Sequence, residues 1–156
     1  MSGKLEVSFN SPQCGWMSVG FDDGVSEFHT TTAHAPHASA LPELMRILTR
    51  LADRNGADGK YLLKWNRDPE EFDLRFTRVG DAVTIEIFQY PTETRDSSEC
   101  EMVFSHRGNA ADVCAAFAAT FDQLYDARDT DEFEFNWRQP FPFAEYEDFK
   151  RAIERG

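Results

Sequence analysis

The sequence predicts an α+β fold, a mainly antiparallel sheet of about six to seven strands with two to three helices packed on one face. Two observations predict it. Segments in which apolar and polar residues alternate, as in half-buried strands, outnumber segments with helical periodicity. Helices are also too few to serve as the crossovers that parallel neighbours require, so most neighbours are expected to be antiparallel. With 156 residues, 41% of them hydrophobic, the chain is expected to form a single domain over residues 1–156.

The first third of the chain predicts a three-stranded antiparallel meander. Apolar residues alternate at Leu5, Val7 and Phe9, and a second strand is expected over residues 16–21. An Asp-Asp-Gly turn separates this second strand from a returning strand over residues 25–31.

An amphipathic helix is predicted after an aperiodic loop over residues 32–40. Its apolar residues recur with the three- and four-residue spacing of one helical face. They are Leu41, Leu44, Met45, Leu48, Leu51 and Ala52. Pro42 fits the first turn, where a backbone N–H has no helical partner. The dipeptide Asn55-Gly56 is expected to end the helix.

The middle of the chain predicts four more strands. Residues 61–65 form the first of them. Residues 72–76 and 83–87 alternate apolar and polar side chains on either side of Gly80-Asp81, which has the form of a two-residue hairpin turn. A further strand over residues 100–104 follows a polar loop.

The last third of the chain predicts two helices. Asn109 is a favourable N-cap for the first, and its apolar stripe runs from Val113 to Leu124. An aromatic stretch follows, and then a final helix. The aromatic stretch is Phe133, Phe135 and Trp137, and the buried side of the final helix is marked by Tyr146, Phe149 and Ile153.

The charge of the chain argues against several classes of partner. Sixteen basic and 28 acidic residues give a net charge of −12 and a pI near 4.7. Nucleic acids and anionic membrane surfaces would therefore be repelled. No apolar run approaches the roughly 20 residues that a bilayer-spanning helix needs. The N-terminus has no apolar signal stretch and the three cysteines are an odd number, so a reducing, cytoplasmic location is expected.

Common nucleophile and phosphate-binding motifs are absent from the sequence, and no cofactor is expected. The alternative to a binding protein is a small metal-dependent enzyme that uses His29, His34 and His37, which lie within nine residues. Neutral imidazole is a common metal ligand. The intervening segment lacks the helical spacing that would hold the three rings on one face, so no metal is expected there. His106 has the chemistry to act as a base for one of the cysteines, although no motif surrounds any of them.

Acidic residues are concentrated near the C-terminus. Residues 109–156 contain 11 acidic and 5 basic residues, and so carry half of the net charge on less than a third of the chain. An acidic surface with aromatic anchors would speed association with a basic partner and supply the hot spots of an interface. The residues expected to contact a partner are Asp126, Asp129, Asp131, Glu132, Glu134 and Trp137. The alternative is a solvated helix end whose aromatic residues point inward.

The whole pattern resembles the immunity proteins that bacteria encode beside polymorphic or secreted antibacterial toxins. The chain opens with a meander around Pro12-Gln13-Cys14-Gly15-Trp16-Met17, and two helices flank a central hairpin. It closes with Trp137, then Pro140-Phe141-Pro142-Phe143 and a short helix. The resemblance implies a non-catalytic inhibitor that occludes the active site of a cognate toxin domain. A nuclease or deaminase toxin has a basic nucleic-acid cleft, and an acidic protein is suited to bind in that cleft and block it. The chain is expected to be a monomer or a homodimer, and a further hypothesis is a structural or regulatory adaptor that dimerises through an exposed sheet edge.

Overall fold

A computed structural model describes residues 3–53 and 55–155 of the chain. Seven strands and four α-helices follow one another along these residues. They are β1 (Glu6–Phe9), β2 (Trp16–Asp22), β3 (Glu27–Ala33), α1 (Ala40–Ala52), β4 (Gly59–Asn66), β5 (Glu71–Val79), β6 (Ala82–Tyr90), β7 (Glu101–Asn109), α2 (Ala110–Asp126), α3 (Phe133–Trp137) and α4 (Phe143–Arg155). A single 3₁₀ turn, Ser97–Glu99, precedes β7. The α+β class and the antiparallel pairing are confirmed.

The prediction of one sheet with helices on one face is wrong, because the strands form two antiparallel sheets. One has the order β1-β2-β3 and the other the order β4-β5-β6-β7. The helix α1 interrupts the chain between β3 and β4, and aromatic side chains on the inner faces pack one sheet against the other. The ring centroids of Phe21 and Phe104 lie 5.5 Å apart, and those of Phe28 and Phe72 lie 5.7 Å apart. Each sheet therefore covers part of the apolar face of the other.

The central hairpin forms as its sequence predicts. Val79 pairs with Ala82, so Gly80 and Asp81 are the two residues of the turn. Gly80 has a φ angle of +61°, in the left-handed region that glycine adopts without a steric penalty. The turn type therefore fixes the register of β5 and β6.

The helix α2 joins the two sheets. Its N-cap is Asn109, whose side-chain oxygen accepts the Asp112 N–H at 2.8 Å. The ring of Phe117 lies 6.0 Å from Phe21 of the three-stranded sheet and 6.2 Å from Phe76 of the four-stranded sheet. Because one helix contacts both sheets, all the elements share one hydrophobic core.

The helices α1 and α4 pack along each other, and both contact α2. The C-terminal end of α1 is capped by the buried guanidinium of Arg78 from β5, which donates to the carbonyls of Leu51 at 3.1 Å and Asp53 at 2.6 Å. Among the described residues, no helix is both long enough and apolar enough to cross a bilayer.

Candidate functional site

The helix α3 is anchored in the core by two aromatic side chains. Phe133 and Trp137 are four residues apart and therefore lie on the same side of the helix, where each is only 2% exposed. Trp137 contacts the rings of Trp65 at 6.3 Å and His34 at 6.4 Å between centroids. The segment that carries the densest acidic charge is thus fixed to the body of the protein.

Phe135 lies on the opposite side of α3 and is 79% exposed. The sequence predicts Trp137 as the aromatic contact of a partner, but the structure places this indole in the core. The i, i+4 spacing of Phe133 and Trp137 accounts for the difference, since only two of the three aromatic residues can face inward on one turn of helix. Of the three aromatic residues in this segment, Phe135 is the one whose ring is open to solvent.

The five carboxylates predicted to contact a partner lie between the last residue of α2 and Glu134 of α3. Asp126, Asp129, Asp131, Glu132 and Glu134 are all exposed. Over the part of the chain that the structure describes, none of them lies within 4.0 Å of a lysine, arginine or histidine nitrogen. We call these five residues together with Phe135 the acidic surface.

Arg128, the one basic residue within this run, is turned away from the carboxylates. Its guanidinium lies over the ring of Tyr125, 3.9 Å from the centroid, and 5.5 Å from that of Phe143. Cation–π contacts of this kind hold the positive charge against aromatic faces. The negative charge of the acidic surface is therefore not neutralised from within.

The backbone of the acidic surface is held by a set of hydrogen bonds. The amide of Asn136 donates to the carbonyls of Asp131 and Glu132 at 3.1 and 3.2 Å. The Asn136 carbonyl accepts the Gly15 N–H at 2.6 Å. The carboxylate of Asp131 accepts a hydrogen bond from the Ser11 hydroxyl at 2.7 Å. A surface that is fixed before binding loses little conformational entropy when a partner docks.

The three clustered histidines do not come together. His29 lies 3.9 Å from Glu27, His34 Nδ1 lies 3.1 Å from the Gly15 carbonyl, and His37 Nε2 lies 2.8 Å from Glu71. Within residues 3–53 and 55–155, no group of three His, Cys, Asp or Glu side chains is arranged to hold a metal ion. The metal site of the alternative prediction is therefore not formed by these residues.

A buried polar cluster at one end of the four-stranded sheet was not predicted. Its members are His37, Asn66, Glu71, Asp73, Tyr90 and Arg95. Burial raises the pKa of the Glu71 carboxyl, but hydrogen bonds from His37, Asn66 and Arg95 outweigh this and bring it below its usual value. Polar residues that alternate with Phe72 and Leu74 are indistinguishable in sequence from solvated strand positions, so no sequence signal reveals this cluster.

His106 is bound to a carboxylate. Its Nδ1 atom lies 2.8 Å from Oδ2 of Asp23, and both side chains are buried. The buried thiol of Cys114 instead contacts the Leu48 carbonyl, and burial raises the pKa of this thiol to about 12. A thiol with so high a pKa is a poor nucleophile near neutral pH.

No protein-family model matches the chain, and neither curated proteins nor solved structures include a significant match. The acidic surface is the described feature best suited to recognition, because exposed carboxylates and an exposed aromatic ring occur together in and just before α3, which Phe133 and Trp137 anchor in the core.

Proposed function

We propose that this protein is a non-catalytic binding protein that neutralises a cognate toxin domain by covering its active site, as immunity proteins do. The observation that carries the proposal is the acidic surface, in which residues 126–135 hold the exposed ring of Phe135 and five exposed carboxylates that pair with no cation of the described residues. Its rigid attachment through Phe133 and Trp137 supports recognition of a preformed partner surface.

The physical basis of binding is electrostatic attraction combined with burial of one aromatic ring. Unpaired surface carboxylates raise the rate at which a basic partner associates. A phenylalanine that enters a pocket supplies affinity that charge alone does not give. The cleft of an enzyme that acts on nucleic acid is basic, and a rigid acidic surface would occupy it in competition with the substrate.

The experiment uses the chain as bait in a lysate of its native cells. The wild type is compared with a charge-reversal variant, Asp129→Lys, Asp131→Lys and Glu132→Lys. A matched control, Glu93→Lys, Glu99→Lys and Glu101→Lys, changes three exposed residues elsewhere and produces the same change in net charge. A protein retained by the wild type and the control, but lost with the charge-reversal variant, is the candidate partner.

The candidate partner is then purified and its toxicity is measured by expression with and without the chain. We expect growth arrest that the wild type relieves and the charge-reversal variant does not. We expect Phe135→Ala to weaken the purified complex by about tenfold or more. Equal affinity of the wild type and the charge-reversal variant would place the interface elsewhere, and a partner without toxicity would remove the immunity role.

A further inference from the structure

The four-stranded sheet has an outer face that the described elements leave open to solvent. In β4, Leu63 and Trp65 point into the core, and Leu62 and Lys64, which alternate with them, point outward. Among these outward residues Leu62 is 49% exposed, and Met102 of β7 is 52% exposed. Leu62 and Met102 lie on the two edge strands of the sheet, so they are separate apolar contacts on this face and not one continuous patch.

Basic residues predominate on this outer sheet face, in contrast to the chain as a whole. The exposed charged side chains that the pairing register places there are Lys60, Lys64, Arg75 and Arg107. Between them stands one half-buried carboxylate, Glu86. A chain with a net charge of −12 thus has one face of opposite sign.

Two further carboxylates on the same side of the sheet share one guanidinium, so they offset only part of this positive charge. Glu71 and Asp73 are buried and both bind the guanidinium of Arg95. They belong to the polar cluster at the end of the sheet. Across the strands Lys64 stands opposite Asp73 and Arg75 opposite Glu86, but among the described residues neither pair comes within 4.0 Å. Both cations can therefore still pair with a ligand.

The register gives this face a defined arrangement of charged and apolar groups. Leu62 stands opposite Arg75, and Phe88 stands opposite Met102. The guanidinium of Arg75 lies over the Phe88 ring, 4.3 Å from its centroid. Neighbouring strands are about 4.8 Å apart, and alternate residues of one strand are about 7 Å apart. Alternate side chains of an extended peptide have the same separation of about 7 Å, so they can meet successive basic and apolar groups on this face.

We propose that the outer sheet face docks a protein segment in which carboxylates alternate with apolar side chains. The carboxylates would pair with Lys64 and Arg75 while the apolar side chains cover Leu62 and Met102. Charge complementarity selects an acidic occupant. A nucleic acid fits less well, because Arg75 already covers the half-buried ring of Phe88 and leaves no open aromatic platform for a base. This proposal is independent of the acidic surface and of the toxin partner.

The test measures binding of fluorescent eight-residue peptides to the intact protein by anisotropy. One peptide alternates Glu with Leu, a second alternates Gln with Leu, and a thymidine oligonucleotide serves as the nucleic-acid probe. We expect saturable binding of the Glu-Leu peptide that weakens as salt is raised, and weaker binding of the other two probes. Amide shifts in nuclear magnetic resonance spectra of the wild type should locate the peptide on β4 to β7.

Variants give a second, independent measurement. We expect the double variant Lys64→Glu with Arg75→Glu to bind the Glu-Leu peptide about tenfold or more weakly than the wild type does. The matched control, Arg151→Glu with Arg155→Glu, alters two exposed charges on α4 and should leave affinity within about twofold. Unfolding midpoints verify that each variant is folded.

Several outcomes would overturn the proposal. Equal binding of the Gln-Leu peptide would exclude recognition of carboxylates. Preferred binding of the oligonucleotide would assign the face to nucleic acid. Light scattering that shows a dimer, dissociated by Lys64→Glu with Arg75→Glu, would assign the face to a second copy of the chain. Amide shifts confined to other elements would place the peptide elsewhere.

Discussion

Asp23 and His106, 83 positions apart in the sequence, are joined in the interior by a hydrogen bond of 2.8 Å. Asp23 lies in the turn between β2 and β3, and His106 lies on β7, so the bond links the two sheets. Burial raises the pKa of the Asp23 carboxyl. Hydrogen bonds from the Ser26 N–H, from His106 and from the Val25 N–H outweigh burial, so the pKa lies below its ordinary value.

We expect Asp23→Asn to lower the free energy of unfolding by about 1–3 kcal/mol at pH 7, because a buried charged hydrogen bond is replaced by a weaker one. A carboxyl with a lowered pKa stabilises the fold above its unfolded-state value and loses that effect as the pH falls through its folded-state value. The difference in free energy of unfolding between the wild type and Asp23→Asn should therefore shrink below about pH 3.8. Urea unfolding at a series of pH values measures it.

The control for this prediction is Asp81→Asn, which changes an exposed aspartate in the turn between β5 and β6. Its unfolding free energy should stay within about 0.5 kcal/mol of the wild type. An Asp23→Asn protein whose deficit is the same at every pH would show that the carboxylate charge does not contribute.

The two aromatic residues on opposite sides of α3 should differ sharply in their effect on stability. We expect Trp137→Ala to cost about 3–5 kcal/mol, because it leaves a cavity beside Trp65. Phe135→Ala should change stability by less than about 0.5 kcal/mol. Chemical unfolding of the two variants checks this, and similar losses in both would mean that the two sides of α3 are not distinguished in solution.

The stability of the fold should depend on Arg78 so closely that even replacement by lysine lowers it. Its guanidinium donates to the Gly80 carbonyl at 2.9 Å through Nε and to the end of α1 through a terminal nitrogen. A lysine ammonium cannot span both groups. We expect Arg78→Met to lower unfolding free energy by about 2–3 kcal/mol and Arg78→Lys to be intermediate. Hydrogen exchange should locate the loss at the C-terminal turn of α1, and Arg107→Lys is the exposed control.

The cysteines should differ in reactivity. Cys14 is exposed, whereas Cys114 is buried and the pKa of its thiol is raised to about 12. At pH 8 only about one thiol in ten thousand at Cys114 is ionised. We expect iodoacetamide to modify Cys14 in the native protein and Cys114 only after urea is added, as measured by peptide mass spectrometry. Rapid native labelling of Cys114 would contradict its burial.

Local features of this fold could be predicted from sequence because they depend on neighbouring residues. The Gly80-Asp81 turn, the Asn109 cap and the apolar stripe of α1 are each determined within a few positions. The division into two sheets depends on pairs such as Phe28 and Phe72, which the pattern of one segment does not specify.

The candidate sites also contain some features that the sequence predicts and others that depend on the fold. Exposed charge near α3 could be predicted, since runs of acidic residues are solvated whatever the fold. The choice between Phe135 and Trp137 could not, because it follows only once residues 133–137 are known to be helical and to pack beside Trp65. The outer sheet face becomes visible only when the register places Lys64 and Arg75 beside Leu62 and Met102.

The link between β1 and α2 has a consequence for synthesis on the ribosome. The Phe9 N–H donates to the Thr120 hydroxyl at 2.6 Å, across 111 positions of the chain. At about 5–20 residues per second, roughly 6–22 s pass between translation of these two residues. For that time the inner face of the nascent meander has no α2 to cover it. Chaperones that hold apolar nascent segments should therefore engage this chain early and release it once α2 has emerged.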